Sequence, residues 1–511
     1  MPPIIATFVF VAGILGLFWL NKDRHAQTSP ALWIPVIWLS LCGSRVASQW
    51  LAIMGLGGLT GGSVDSPDQY LDGSPIDRFF LTGLLIVGIV VLARRGSRVT
   101  DVLLSNWPIL LFFAYCAMST IWSDFPDIAL KRWIKSLGDV TMVMLVLTDP
   151  DPEAAFQRFL SRVGFLLMPL SVLFIKYYPE IGKGYDRWTG TPIYTGVTYS
   201  KNILGMVCLI LGLGALWRVS KLLKSKRRWY ENRPLLAQGT LLLIVLWLLS
   251  KAGSATSLSC FALGGILLLL ANRPRMTRRP ALLHSTVAVM LSIPIAALFL
   301  NVGSGLVQTL GRDPTLTGRT EVWQRVLGMT TNPLIGTGFE SFWLGKRLEA
   351  LWQVYWWKPT EAHNGYIEIF LNLGWIGLIL LAFVIGTGYG RIMRGIRRQD
   401  NEANLRLAFL FIAVAYNFTE AAFKTLHPVW ITMLLSILAV PKMRVSGMDT
   451  AQVSSDMSAI GMDDVPAAGS VNAHPVRALG GANERPGNSG VASNDDLNDA
   501  PNDRLAWHST R

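Results

Sequence analysis

The sequence predicts an all-α polytopic membrane protein of about 12 to 13 transmembrane helices with one large periplasmic loop. Hydrophobic residues make up 51% of the 511 residues, whereas charged residues make up only 15%. A soluble domain carries roughly 25% charged residues, so this deficit indicates a bilayer environment. Apolar runs of about 20 residues recur along the chain, and that is the length of a helix that crosses a bilayer.

The apolar runs define the individual spans to within about four residues at each boundary. The fifth run begins amphipathic and the twelfth is short and partly polar, which leaves the alternatives of about 12 or 13 helices. Lys22 and Arg24 follow the first run rather than precede it, so a retained helix is expected rather than a cleaved signal peptide. The predicted spans lie near residues 3–20, 31–54, 79–93, 106–122, 133–148, 158–176, 201–218, 235–250, 256–271, 282–301, 366–388, 404–418 and 426–440.

Four clusters of basic residues predict the orientation of the spans. All four fall on the same side when the spans are counted in order, and an excess of Lys and Arg marks cytoplasmic loops. The opposite, periplasmic side then receives the segments 177–200 and 302–365. The clusters are Arg94, Arg95 and Arg98; the segment 218–233; Arg273, Arg275, Arg278 and Arg279; and Arg391, Arg394, Arg397 and Arg398.

The predicted organisation has four parts. They are an N-terminal transmembrane bundle at 1–301, a large periplasmic loop at 302–365, C-terminal transmembrane helices at 366–440 and a disordered cytoplasmic tail at 441–511. The tail is rich in Ser, Gly, Asn, Asp and Pro, a composition that cannot bury a core. The net charge of +13 is spread over short loops rather than gathered in one patch, which argues against nucleic acid as a partner.

The first candidate for chemistry lies where the long loop meets a helix, in the segment 361–366 (EAHNGY). A neutral imidazole at the water-facing end of a helix can accept a proton from a sugar hydroxyl near pH 7, which makes His363 a candidate base. The alternative is a histidine that only caps or anchors the helix end, and position alone slightly favours that alternative. Glu361 is the next candidate base.

Cationic side chains on the same side are candidate ligands for a phosphate group. Arg187 and Arg319 lie in the two outer segments, and a guanidinium fork matches phosphate oxygens, although solvated loop charges are an equally good interpretation. Lys201 and Asn202 begin the seventh span, where an ammonium near the interface can bind a donor or simply reach the headgroups. For Lys251, the second interpretation is favoured.

Two further patterns are weaker. The aromatic cluster of Trp352, Tyr355, Trp356 and Trp357 can stack on sugars, but an interfacial belt that holds a short helix on the membrane is favoured. The segment 149–151 (DPD) resembles the Asp-x-Asp motif of metal-dependent sugar transferases, yet it falls on the cytoplasmic side and is typical of a turn. No metal site is predicted on the outer face.

Several motifs together resemble the O-antigen ligase and polymerase superfamily of membrane glycosyltransferases over roughly residues 30–440. The most specific match is His363-Asn364 followed, after nine residues, by Gly374-x-x-Gly377. Short segments near 33–45 and 72–78 are most similar to exopolysaccharide polymerases of the succinoglycan type. The other matches are Gly318-Arg319 to Trp323; Asn332 to Phe339, which includes Gly336 and Gly338; Trp122-Ser123-Asp124; and Tyr199 to Gly205, where Ser200 replaces the usual histidine.

The resemblance implies a membrane glycosyltransferase that polymerises undecaprenyl-pyrophosphate-linked oligosaccharide repeats into exopolysaccharide or O-antigen at the periplasmic face of the inner membrane. The transfer would be inverting and metal-independent, without a cofactor. His363 would be the base, while Arg319, Arg187 and Lys201 would bind the donor pyrophosphate. The supporting residues would be Asn364, Asn202, Glu361, Gly336 and Gly338. The expected partners are the lipid-linked oligosaccharide and the bilayer, and a chain-length regulator and a flippase of the same pathway are further candidates.

Three other functions stay open at this point. A ligase that transfers the finished polymer to lipid A-core uses the same chemistry with a different acceptor. A flippase or permease for the same lipid-linked sugar ranks lower, because the polar residues gather in one outer loop rather than at mid-membrane. A non-enzymatic scaffold ranks lower still, since it would gain nothing from a base and phosphate-binding arginines on one face.

Overall fold

The computed structural model describes residues 1–22, 27–56, 74–186, 189–224, 233–299 and 319–439. In these ranges the chain is a bundle of apolar helices with a single short antiparallel hairpin, β1 (Lys183–Tyr185) and β2 (Pro192–Tyr194). Arg187, the first part of the long loop at 302–318 and the C-terminal tail at 441–511 lie outside the described residues.

The helices follow one another with short connections. In chain order they are α1 (Pro3–Leu20), α2 (Trp33–Cys42), α3 (Ala47–Leu51), α4 (Pro75–Arg95), α5 (Ser97–Ser105), α6 (Trp107–Met118), α7 (Pro126–Leu147), α8 (Pro152–Tyr177), α9 (Pro179–Gly182), α10 (Lys201–Leu223), α11 (Arg233–Ala252), α12 (Ala255–Ala271), α13 (Pro274–Arg278), α14 (Pro280–Phe299), α15 (Arg319–Gly328), α16 (Gly345–Val354), α17 (Gly365–Arg397), α18 (Ala403–Tyr416) and α19 (Pro428–Ile437).

The helix lengths confirm the prediction of an all-α polytopic membrane protein. Within the described part of the chain, 6 helices are long and apolar enough to cross a membrane, and two bent helix pairs can each form one further span. The pairs are bent by 75° between α2 and α3 and by 84° between α5 and α6. Four shorter apolar helices are α12, α14, α18 and α19. Every predicted span coincides with one of these helices, with a bent pair, or with α7.

Burial varies widely among the spans, as expected when some helices face lipid. In α10, 72% of the apolar window is buried inside the protein, compared with 17% in α1 and in α4. Small residues let helices approach closely where no hydrophobic driving force acts between them. Gly212 of α10 faces Val245 of α11 and Phe261 of α12, and Gly138 of α7 faces the ring of Trp38.

Contacts between helix ends agree with the predicted alternation of sides. At ends predicted to be cytoplasmic, Arg95 pairs with Asp149 at 3.3 Å, and Arg391 donates to Asn106 Oδ1 at 2.6 Å. At the opposite ends, which we call the outer side, the hydroxyls of Thr256 and Thr419 lie 3.2 Å apart. Ends predicted to share a side therefore meet in the structure.

Helix α17 is interrupted in its first third, where the backbone of another segment is inserted. Gly374 has φ +65°, and a Cβ at this position would lie 2.2 Å from the carbonyl oxygen of Leu334. The freed backbone groups bond to the inserted segment, because Trp375 N donates to Pro333 O at 2.9 Å and Gly338 N donates to Asn372 O at 2.9 Å. The segment 332–342 is therefore fixed against the broken helix.

The described part of the long loop forms a small structured unit on the outer side, the outer cap, residues 319–362. Its own hydrophobic core joins α15 and α16 and includes Val322, Val326, Phe342, Leu348 and Leu351. Of the four clustered aromatic residues, Trp352, Tyr355 and Trp357 pack into this core, whereas Trp356 is 66% exposed. Three of the four thus help to hold the cap together, and the interfacial belt stays a prediction.

Candidate active site

The site begins at the N-terminus of α17, which is capped by Asn364. The Oδ1 atom of Asn364 accepts from the backbone N–H groups of Tyr366 at 3.0 Å and Ile367 at 3.1 Å. An asparagine cap of this kind stabilises a helix by about 1 kcal/mol. The Nδ2 atom donates to the carbonyl of Phe418 at 3.1 Å, so the same side chain ties α17 to the connection between α18 and α19.

That connection, loop 417–427, lies directly against the start of α17. Gly365 N donates to the carbonyls of Asn417 at 2.9 Å and Glu420 at 3.1 Å. A Cβ on Gly365 would lie 1.8 Å from Asn417 Oδ1, so only glycine permits this approach. The Asn417 side chain also accepts from the N–H groups of Ala422 and Phe423, at 2.8 and 2.9 Å, which winds the loop around it.

His363 adopts a backbone conformation that most residues avoid. Its φ is +50°, and such a left-handed conformation costs on the order of 1–3 kcal/mol for a residue with a side chain. The flanking residues hold it there, because Trp323 Nε1 donates to Ala362 O at 2.7 Å and Asn364 is fixed as the helix cap. Strained backbone of this kind clusters at functional sites.

The side chains around His363 form a row of alternating charges, which we call the charge chain: Arg319, Glu420, His363, Glu361 and Lys424. Arg319 lies 3.5 Å from Glu420 Oε1, and the other oxygen of Glu420 lies 3.4 Å from His363 Nδ1. The same Nδ1 lies 3.0 Å from Glu361 Oε1, and Lys424 donates to Glu361 Oε2. Three separate parts of the chain thus meet at one point.

The charge chain shifts the proton affinities of its members. Burial lowers the pKa of His363, but the carboxylates of Glu361 and Glu420 act in the opposite direction and raise it to about 9. For Glu361, burial raises the pKa, yet the charges of Lys424 and His363 hold it well below its ordinary value. The imidazole Nδ1 is buried, while 29% of the His363 side chain remains exposed.

Three members of the charge chain carry groups that metal ions can use. Glu361, His363 and Glu420 each offer one ligand atom, and these atoms lie within 4.8 Å of one another. Both carboxylates, however, already contact a permanent cation, Lys424 or Arg319. A site with three cations and two carboxylates attracts an anion more readily than a divalent cation.

Loop 417–427 is held in place from the opposite side by two further carboxylates. Glu340 has φ +47° and its Oε1 accepts from Thr425 N at 3.0 Å. Asp139 of α7 accepts from Leu426 N at 2.9 Å and from Trp38 Nε1 at 2.9 Å. Since Glu340 belongs to the segment 332–342 that is inserted into α17, the broken helix and loop 417–427 are positioned together.

Comparison with known proteins gives matches that include part of the charge chain. A protein-family model described as O-antigen ligase matches residues 238–382. The exopolysaccharide production protein ExoQ of Rhizobium meliloti is 27% identical over 311 residues, 59% of this chain and 68% of the relative. A putative polysaccharide ligase of Rickettsia typhi is 22% identical over 355 residues, 65% of this chain and 80% of the relative. By these matches the chain is similar to proteins of the O-antigen ligase-like superfamily.

The resemblance to this superfamily makes several residues candidates for the site, and these residues do not all meet in the structure. His363, Arg319 and Glu361 lie in the charge chain, and Asn364 caps the helix beside it. Lys201 instead begins α10, where its ammonium lies 2.8 Å from Asp186 Oδ2.

The remaining candidates lie at the start of α10, in the segment 332–342, or outside the described residues. Asn202 is half-buried in the first turn of α10, and Ser200, which stands where the superfamily usually has histidine, accepts from Ile203 N at 3.4 Å as the helix cap. Gly336 and Gly338 lie in the segment that fills the break in α17, so they support the scaffold below the charge chain. Arg187 falls outside the described residues.

Glu420 and Lys424 are members of the charge chain that sequence reasoning missed. Both lie beyond residue 382, where the superfamily match ends. The available signal was the connection between the last two spans, which carries one acidic and one basic residue on the same side as His363.

Proposed function

We propose that this protein is a membrane glycosyltransferase of the O-antigen ligase-like superfamily that polymerises undecaprenyl-pyrophosphate-linked oligosaccharide repeats into exopolysaccharide. The observation that carries the proposal is the contact of His363 with a row that also contains Arg319 and Lys424. A candidate base and two permanent cations then stand at one outer helix end. The likeness to an exopolysaccharide production protein supports the same product class.

His363 takes the proton of the acceptor hydroxyl in this mechanism. Its Nδ1 faces Glu361 and Glu420, so the exposed part of the ring is left for the acceptor. The hydroxyl oxygen forms a bond to the anomeric carbon of the donor while the bond from that carbon to the phosphate oxygen breaks. The electron pair leaves with undecaprenyl pyrophosphate, the proton stays on the imidazole, and the anomeric configuration inverts.

Arg319 and Lys424 stabilise the pyrophosphate as it departs. A guanidinium fork suits phosphate oxygens, and an ammonium adds a second charge. A preorganised donor to developing charge contributes about 10²–10³-fold to the rate. Arg187 and Lys201 are proposed as additional donor ligands. Protein cations supply the charge in this mechanism, and the transfer is therefore proposed to proceed without a metal ion.

The proposed setting is the bacterial inner membrane, with the charge chain facing the periplasm. The four basic clusters on the other side support this orientation. Lipid-linked repeats are presented at the periplasmic leaflet, so the donor reaches the site within the plane of the bilayer.

A ligase reaction is the second candidate, because a family model and a relative carry that description. Polymerase and ligase share donor chemistry and differ in the acceptor, which is another lipid-linked repeat or a lipid A-core. The purified protein in nanodiscs should therefore be given the donor with each acceptor separately. A ladder of lipid-linked chains supports the polymerase, and transfer only to lipid A-core supports the ligase.

The same assay tests the transferase class as a whole. A transferase releases undecaprenyl pyrophosphate, whereas a flippase moves the lipid-linked sugar across the bilayer without releasing it. Liposomes with a donor that carries a fluorescent sugar allow both events to be measured. Translocation without release of undecaprenyl pyrophosphate, under all acceptor conditions, would refute the transferase proposal.

A further inference from the structure

We infer that the carboxylate of Glu420 occupies the place of a donor phosphate between Arg319 and His363, and that the donor displaces it. The inference rests on the proposed function, since it assigns a ground-state occupant to the proposed pyrophosphate site. It gives a role to a residue that lies outside the part of the chain matched by the superfamily.

The geometry of Glu420 is that of a bridging anion. One carboxylate oxygen lies 3.5 Å from a guanidinium nitrogen of Arg319, and the other lies 3.4 Å from His363 Nδ1. Two oxygens of one phosphate group can make the same two contacts. The contacts are longer than the 2.7–2.9 Å that is typical of strong charge-assisted bonds, so a better-placed anion would gain energy over the carboxylate.

The charge of the site is also incomplete without an anion. Arg319, Lys424 and a protonated His363 provide three positive charges, and Glu361 and Glu420 provide two negative charges. A pyrophosphate diester brings two negative charges. If it entered while both carboxylates stayed in place, the site would carry a net negative charge, which is costly where solvent is scarce. Departure of one carboxylate would return the net charge of the site to zero.

Glu420 is the carboxylate that can leave without moving the backbone. Its own carbonyl accepts from Gly365 N at 3.1 Å, which fixes the main chain, while the side chain has three rotatable bonds. Glu361 also contacts His363 and one permanent cation, but more closely: its Oε1 lies 3.0 Å from His363 Nδ1, whereas the two Glu420 oxygens lie 3.4 and 3.5 Å from their partners. Rotation of the Glu420 side chain toward solvent would free Arg319 and one side of the imidazole for the donor.

A different role for Glu420 makes the opposite prediction for binding. If Glu420 only orients His363, its removal lowers kcat and leaves the affinity for the donor unchanged or weaker. If Glu420 competes with the donor phosphate, its removal strengthens binding and lowers KM. The two roles therefore separate in an equilibrium measurement that involves no transfer.

The decisive experiment is a titration of inorganic pyrophosphate into the full-length protein in nanodiscs, in buffer with excess chelator. Glu420→Gln should bind pyrophosphate about ten-fold more tightly than the wild type, which corresponds to about 1.4 kcal/mol. The matched control is Glu321→Gln, because Glu321 is an exposed carboxylate of the outer cap that contacts Tyr355 OH at 3.3 Å and takes no part in the charge chain. The control should bind as the wild type does.

An affinity of Glu420→Gln that is equal to or weaker than that of the wild type overturns the inference. If this variant does not insert correctly, Glu420→Asp serves instead. Its shorter side chain keeps the charge but bridges both cations poorly, so it should also bind more tightly, and an unchanged affinity overturns the inference. Absence of chain elongation and of undecaprenyl pyrophosphate release in the wild type, with tighter binding of pyrophosphate by Glu420→Gln, would refute the proposed function and leave the inference about the anion site standing.

Discussion

The Nδ1 atom of His363 lies 3.0 Å from the Oε1 atom of Glu361, and the backbone of His363 is held at φ +50°. The contact makes the imidazole a stronger base than an isolated histidine, with a pKa of about 9. It also means that at neutral pH most of the resting protein carries the protonated ring. The pH dependence of the reaction is therefore informative.

The rate of transfer should rise with pH and level off above about 9. The reason is that only the neutral imidazole can accept the proton of the acceptor hydroxyl, and its fraction grows about ten-fold per pH unit below the pKa. The measurement is the initial rate of undecaprenyl pyrophosphate release between pH 6.5 and about 10. In Glu361→Gln one carboxylate contact is lost, so the pKa should fall and the plateau should begin at a lower pH. A rate that declines over this range would instead identify the imidazolium as the active form.

His363→Ala should reduce turnover by about 10²–10⁴-fold, which is the usual contribution of a general base. Binding of pyrophosphate should survive, because Arg319 and Lys424 remain. His284→Asn is the matched control, since His284 contacts Tyr389 OH at 2.6 Å in the start of α14, at a predicted cytoplasmic end. Both variants are compared for chain elongation in correctly inserted protein. Normal turnover of His363→Ala would reduce His363 to a helix anchor and leave Glu361 as the next candidate.

Arg319→Ala should weaken donor binding and reduce turnover by about 10²–10³-fold. Arg319→Lys should restore only part of both, because an ammonium keeps the charge but loses the planar fork. Arg325→Lys on the same helix is the control, since the Arg325 guanidinium lies 5.9 Å from the Tyr355 ring and takes no part in the charge chain. Direct binding of pyrophosphate is measured beside elongation. Equal activity of Arg319→Lys and the wild type would show that charge alone suffices.

Excess chelator should leave the rate within about three-fold of its value with magnesium, because protein cations meet the leaving group in the proposed mechanism. The measurement is elongation after dialysis against chelator, with and without added magnesium or manganese. Loss of activity that either ion restores would contradict this prediction. It would make Glu361, His363 and Glu420 the candidate metal ligands.

The outer cap should face the periplasm. A cysteine at position 356, whose tryptophan is 66% exposed, should react with a membrane-impermeant thiol reagent in intact spheroplasts. The four native cysteines give little background, because three are buried and Cys42 is half-buried. Reaction only after lysis would invert the topology and remove the basis of the proposed function.

The sequence predicts the helices of this protein far better than it predicts the contacts of the site. Long apolar runs are easy to identify, because a segment that crosses lipid must satisfy its backbone hydrogen bonds internally, as a helix does. His363, Arg319 and Glu361 could also be selected, since each stands in a motif or at a helix end. Glu420 could not, because its contact with Arg319 spans 100 residues and leaves no local periodicity. The break at Gly374 was visible only as part of a motif, since its cause is the distant backbone of Leu334.

The interruption at Gly374 divides α17 into two parts with different surroundings. Residues beyond the break lie in the bilayer, where helices tilt to match changes in membrane thickness. Residues before the break are fixed to the cap segment, because Asn372 Oδ1 accepts from Ser341 N and Phe342 N at 2.8 and 3.0 Å. A break at this position would let the longer part of α17, beyond Gly374, tilt with the surrounding lipids while the turn that bears His363 keeps its position. In the proposed mechanism, the geometry of the transfer would then depend little on bilayer composition.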